Sequence, residues 1–205
     1  MGIKFADKAS WFKPWVGKTW NYPGNIFNGA KVLVLSESHY GWEPGHIGQS
    51  SPDWTKYCVK HWGIDTKSVH FTKVLQTITG RPRWQMTQTD IRSFWESVVY
   101  YNYVPVFVGD TRLSRPTKEM YQLGAEPFHE LVAQLNPETI LAFGYDMWKW
   151  ILTGWFGVQG SYWKDHSDIG QAQAIKLKHP SARGFSWRNE HQKLIDNQIN
   201  LKIAT

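Results

Sequence analysis

The sequence predicts an α/β protein: a single domain over residues 1–205, folded as a three-layer α/β/α sandwich around a central, mostly parallel four-stranded sheet. Short apolar runs alternate with segments of helical period from residue 31 onward, an order that feeds a parallel sheet covered on both faces. The run over residues 31–35 is near-continuous in apolar residues, which marks a strand buried on both faces. With 205 residues, 41% of them hydrophobic and 20% charged, the chain suffices for one such core and is not disordered in composition.

The strands are expected at residues 31–35, 98–101, 139–143 and 174–178, each short and each followed by polar or turn residues. The first helix is expected over 90–98, where Ile91, Phe94, Trp95 and Val98 recur at helical intervals behind a Thr89 or Asp90 cap. A second, over 119–135, places Met120, Leu123, Phe128, Leu131, Val132 and Leu135 on one face, with a break or new start at Gly124 and Pro127. Residues 145–155 and 189–197 read as two more. No repeat or linker divides the chain.

Composition narrows the partners. Lys and Arg number 23 against 17 Asp and Glu, a net charge of +6, and a polyanion is the commonest partner for such an excess. Thirteen tryptophans offer faces for stacking on bases, although a tryptophan-heavy core accounts for them as well. The lone Cys58 excludes an internal disulfide, a cysteine-rich zinc site and a protein-held iron–sulfur cluster. No apolar run approaches the roughly 18 residues that cross a bilayer, and the first ten residues are too polar for a signal peptide. The expectation is a cytoplasmic monomer that binds DNA and uses neither metal nor cofactor.

In parallel sheets ligands bind outside the carboxyl ends of the strands, so the residues there matter most. Three polar clusters fall at such ends: Ser36-Glu37-Ser38-His39-Tyr40-Gly41 with Trp42 and Pro44; Asn102-Tyr103-Val104; and His179-Pro180-Ser181 running on to Trp187. In this order they resemble the motifs of the uracil-DNA glycosylase superfamily. The strand followed by Ser36 to Tyr40 is similar to that family's first motif, Tyr100 to Val104 to its asparagine-ending strand, and His179-Pro180-Ser181 to its last motif with a wedge residue close behind. The stretches Arg112 to Pro116 and Leu135 to Gly144 resemble the thermophilic branch, without that branch's cluster-binding cysteines. Ser36 stands in place of the first glycine, His39 in place of the proline, and Ser38 where aspartate, asparagine or alanine is usual.

The resemblance implies a DNA glycosylase that flips a pyrimidine out of the duplex and hydrolyses its glycosidic bond to leave an abasic site. Glu37 would stabilise the oxocarbenium-like sugar and orient water, with Ser38 helping to position that water. His179 would donate to the pyrimidine O2 as a neutral imidazole. Asn102 would pair with the base edge, fitting uracil or cytosine according to its amide orientation. Tyr40, His39 and Trp42 would line the base pocket; His39 is open to assisting Glu37, contacting a phosphate or filling the proline's place. Tyr40, taken literally, favours uracil, and a C5-modified pyrimidine such as hypermodified phage cytosine, in antiviral defence, stays open. Ser181, Arg183, Phe185, Trp187, Lys178 and Arg188 would face DNA, one of Arg183, Phe185 and Trp187 being the wedge. The rival readings are a non-catalytic single-strand or base-sensing module, and a serine hydrolase on Ser38, whose neighbours Ser36 and Tyr40 are too large for a nucleophile elbow.

Overall fold

The computed structural model describes residues 3–41, 43, 45–156, 164–199 and 201. In chain order its strands and helices are β1 (Trp15–Val16), β2 (Val32–Ser36), α1 (Trp54–Cys58), α2 (Val69–Thr79), α3 (Gln88–Glu96), β3 (Val98–Asn102), α4 (Lys118–Leu135), β4 (Thr139–Phe143), α5 (Tyr145–Phe156), β5 (His166–Ile169), β6 (Ala172–Leu177) and α6 (Trp187–Asp196). A π-helical segment, Val59–Asp65, continues α1.

The protein is α/β, but the sheet is six-stranded and mixed, not four-stranded. Its order is β1-β3-β2-β4-β6-β5. The four strands expected from sequence form its parallel centre, and β1 and β5 are antiparallel additions at the two edges. Every residue of β2 and β3 is buried, which is why these strands read as unbroken apolar runs.

Successive side chains leave a strand on opposite faces, and two cores follow from that period. Leu33, Leu35, Val99, Tyr101, Ile140 and Ala142 pack beneath α4 and α5 with Phe128, Leu131, Trp148 and Ile151. Val32, Val34, Tyr100, Leu141 and Phe143 pack on the other face with Phe71, Val74, Leu75, Ile91, Phe94 and Leu194 from α2, α3 and α6. Most of the tryptophans serve these cores: Trp95 and Trp148 are fully buried, and Trp11, Trp15, Trp54, Trp62, Trp150 and Trp155 lie half-buried around them.

Two local expectations are corrected. Helix α3 is capped by Thr87, not by Thr89 or Asp90. The Thr87 hydroxyl accepts from the Asp90 amide while the Asp90 carboxylate accepts from the Thr87 amide, a reciprocal box that starts the helix two residues earlier. Helix α4 runs unbroken through Gly124 and Pro127. An interior proline forfeits one helical hydrogen bond, a cost of about 3 kcal/mol, but the buried Phe128, Leu131 and Val132 beyond it outweigh that cost. Gly124 marks a close contact instead of a break, because a β-carbon there would stand 2.4 Å from the Tyr103 carbonyl oxygen.

Candidate functional site

The parallel register brings the strand ends level. Ser36 at the end of β2 lies opposite Asn102 on one side and Phe143 on the other, and Phe143 lies opposite Leu177. Glu37, Asn102, Gly144 and the Lys178–His179 loop therefore leave one edge of the sheet side by side.

Glu37 is part-buried and held from several directions. Its Oε1 accepts from the Tyr121 hydroxyl of α4 at 2.8 Å. Its carboxylate also lies near the first turn of α5, where unpaired N–H groups and the helix dipole favour negative charge, the Met147 amide adding a small lowering effect on its pKa. Gly144, between β4 and α5 beside Glu37, has a φ of 149°, a backbone conformation that residues with a β-carbon rarely adopt. Burial, with the nearby Asp146, pushes the Glu37 carboxyl above its usual range, against the lowering effect of Tyr121, Arg115 and the Met147 amide.

His179 is the clearest donor. The Ser181 amide donates to its Nδ1 at 3.2 Å, so Nδ1 is an acceptor and the ring proton sits on Nε2. Burial, with Arg115 and Lys73 nearby, lowers its pKa to about 4, so the ring is neutral at ordinary pH. Lys73 of α2 fixes this loop by donating to the Pro180 carbonyl at 2.6 Å.

Asn102 is fully buried, and its Nδ2 donates to His39 Nε2. The same nitrogen of His39 lies 3.1 Å from the Thr55 hydroxyl, and its Nδ1 lies 3.9 Å from Cys58 Sγ. The ring meets Phe12 and Trp54 edge-on, and burial lowers its pKa to about 3. His39 is thus a neutral partner of Asn102, standing where sequence reasoning left three roles open.

The other expected residues divide. Ser38 is part-buried beside Glu37, and Tyr40 is 39% exposed. Trp42 and Pro44 lie outside the described residues. Ser181, Arg183 and Arg188 are exposed at the loop after β6 and the start of α6, and Lys178 is part-buried. Phe185 lies under Lys73 Nζ at 5.0 Å and Trp187 under the Arg188 guanidinium at 4.5 Å, so both aromatic wedge candidates carry a cation on one face.

Four participants are absent from the sequence reading of the site. Tyr121 and Thr55 are the hydroxyl partners of Glu37 and His39. Arg115 acts electrostatically on both Glu37 and His179. His70 of α2 sits between the loops, its Nε2 3.2 Å from the Tyr100 hydroxyl and 3.5 Å from Ser36 Oγ, its ring 5.5 Å from that of His179. The spacing of Phe71, Val74, Leu75 and Ile78 marks α2 as a helix and was the available signal for His70.

Two surface hollows lie away from these groups. One, of about 400 Å³, is lined by Pro23, Phe27, Asn28 and Glu138, and the other, of about 550 Å³, by Ile78, His191, Leu194 and Ile199. The first sets Glu138 beside Asn21 and Asn28 but holds no histidine, and the second holds His191 but no acid. Among the described residues no group of three or more His, Cys, Asp or Glu side chains is placed to hold a metal ion, and no helix is long and apolar enough to cross a membrane. No protein-family model matches the chain, and the search of curated proteins finds no match.

Proposed function

We propose that this protein is a monofunctional DNA glycosylase that flips a pyrimidine out of the helix and hydrolyses its N-glycosidic bond, leaving an abasic site. The observation that carries the reading is the arrival of a carboxylate, Glu37, and a neutral Nε2–H donor, His179, at the same end of the sheet as the buried Asn102. Cleavage leaves positive charge on the sugar and negative charge on the departing base, so an anion beside the first and a donor beside the second lower the barrier.

In this mechanism Glu37 stabilises the oxocarbenium-like sugar and orients the attacking water, with Ser38 beside it. Tyr121 holds the carboxylate in place. His179 donates from Nε2 to O2 of the leaving pyrimidine. Asn102 reads the base edge. Ser181, Arg183, Lys178 and Arg188 supply phosphate contacts, and one of Arg183, Phe185 and Trp187 fills the vacated stack. The substrate is uracil or a C5-modified pyrimidine, and excision of hypermodified phage cytosine would make the role antiviral.

The test incubates the protein with DNAs carrying uracil, mismatched thymine, hydroxymethylcytosine or glucosylated cytosine, and reads released bases by mass spectrometry. Release of a free base with no borohydride-trapped adduct is expected. No release from any substrate removes the reading.

A non-catalytic single-strand or base-sensing module is the second reading, favoured by one observation: Glu37 already has a structural partner in the Tyr121 hydroxyl. In such a module E37Q keeps full function, whereas a glycosylase loses turnover.

A further inference from the structure

The two ends of the Asn102 amide are not equivalent. Its Nδ2 is committed to His39, while its Oδ1 is buried and accepts no hydrogen bond among the described residues. A buried carbonyl oxygen without a donor loses its hydration uncompensated, so the arrangement persists only if something fixes the amide that way round. His39 has the chemistry to do so. The amide nitrogen only donates, so His39 Nε2 accepts from it, the Thr55 hydroxyl 3.1 Å away competes for the same lone pair, and the ring proton sits on Nδ1 facing Cys58 Sγ. Burial keeps the Cys58 thiol protonated, so no thiolate competes for that proton. Phe12 and Trp54 pack edge-on against the ring, with centroids 5.0 and 6.5 Å away.

We propose that His39 is a positioning residue that locks the Asn102 amide with Oδ1 left over as a hydrogen-bond acceptor, so that the site selects ligands presenting an N–H to it. The ligand class is a nucleobase with a ring or exocyclic N–H on its pairing edge. Base selection here rests on the glycosylase reading; the lock itself does not. Because Oδ1 is closed to solvent, entry requires neighbouring side chains to move, and the donor brought in relieves an existing cost.

The test has two arms. In ¹⁵N-labelled protein, the imidazole nitrogens of His39 are assigned by NMR from mildly acid to mildly basic pH. A neutral ring protonated on Nδ1 throughout is expected; a proton on Nε2 overturns the proposal, since the amide would then turn its oxygen to His39. In the second arm, free uracil is titrated against 3-methyluracil, and cytosine against N4,N4-dimethylcytosine. The N–H-blocked member of at least one pair is expected to bind at least about tenfold more weakly, the equivalent of about 1.4 kcal/mol. H39L should abolish that discrimination, and H39Q, whose amide oxygen also accepts from Asn102, should retain it. Equal affinities within both pairs, no binding of any of the four bases, or discrimination surviving in H39L overturns the proposal. If H39L fails to fold, the wild-type tautomer and wild-type discrimination still decide it. A locked amide with base discrimination but no base release from DNA would remove the glycosylase reading alone, and base release with an Nε2–H ring would remove the lock alone.

Discussion

Replacing Tyr121 by phenylalanine deletes one hydroxyl and little else. The ring is 7% exposed and stacks on Trp150 at 5.6 Å with planes 10° apart, a packing that phenylalanine preserves. What disappears is the 2.8 Å hydrogen bond to Glu37 Oε1. A hydrogen bond to an ionised acceptor contributes about 1.5–3 kcal/mol, so the Glu37 pKa should rise further in the variant. Water can partly replace the lost donor at a part-buried carboxylate, which places the loss towards the lower end of that range. Glu37 already binds its proton more tightly folded than unfolded, so its share of stability grows as pH falls, and Y121F should steepen that dependence. The variant should thus lose about 1–2 kcal/mol at mildly basic pH and less under acid conditions. The assay is a ¹³C titration of the Glu37 carboxyl carbon in both proteins, with urea unfolding at two pH values beside it. A midpoint unchanged or lowered in Y121F refutes the idea that Tyr121 holds the charged form.

Three further outcomes are expected. E37Q should lower base release by about 10²–10³-fold, the usual scale for one transition-state electrostatic contact, with DNA affinity preserved; single-turnover kinetics beside a binding titration separates the two. His179 and His39, with pKa values lowered to about 4 and about 3, stay neutral in the folded protein while the unfolded chain takes up protons below the usual histidine value of about 6.5. Their stabilisation is fully present above that value and declines as pH falls towards 4 and below, so calorimetry should find a plateau in Tm near neutrality and a fall in acid, and a flat profile contradicts it. Glu190, only 4% exposed, accepts from the Lys178 amide at 2.9 Å and pairs with Lys193 at 3.1 Å, so E190A should cost about 2–3 kcal/mol in a urea titration, reading as the loss of a buried charged acceptor.

The parallel centre of the sheet was legible because β2, β3 and β4 are buried on both faces almost throughout and carry apolar runs, while β6 keeps Ala174, Ile175 and Leu177 buried around a half-buried Lys176. The edge strands were not. β1 is two residues long, and β5, His166-Ser167-Asp168-Ile169, is exposed or half-exposed at three of its four positions, so pairing with β6, not propensity, makes it a strand. Pro127 misled because local propensity argued for a break that tertiary burial overrides. At the site, Glu37, Asn102 and His179 were legible because they follow strands. Tyr121 lies 84 residues from Glu37, and Thr55 sits on a five-residue helix, so no local pattern ties either to its partner. Arg115 was noticed as part of a motif, but its action on two loops depends on a fold that spacing alone does not describe.

The level register of β2 with β3 and β4 binds stability and chemistry into one constraint. Inserting a single residue between positions 32 and 36 would exchange which side chains enter which core and, in the same stroke, carry Glu37 away from the first turn of α5. Lineages of this chain should therefore vary in the lengths of their surface loops long before they vary in the length of that strand, and a tally of insertions across future homologues would reveal whether selection has respected the spacing.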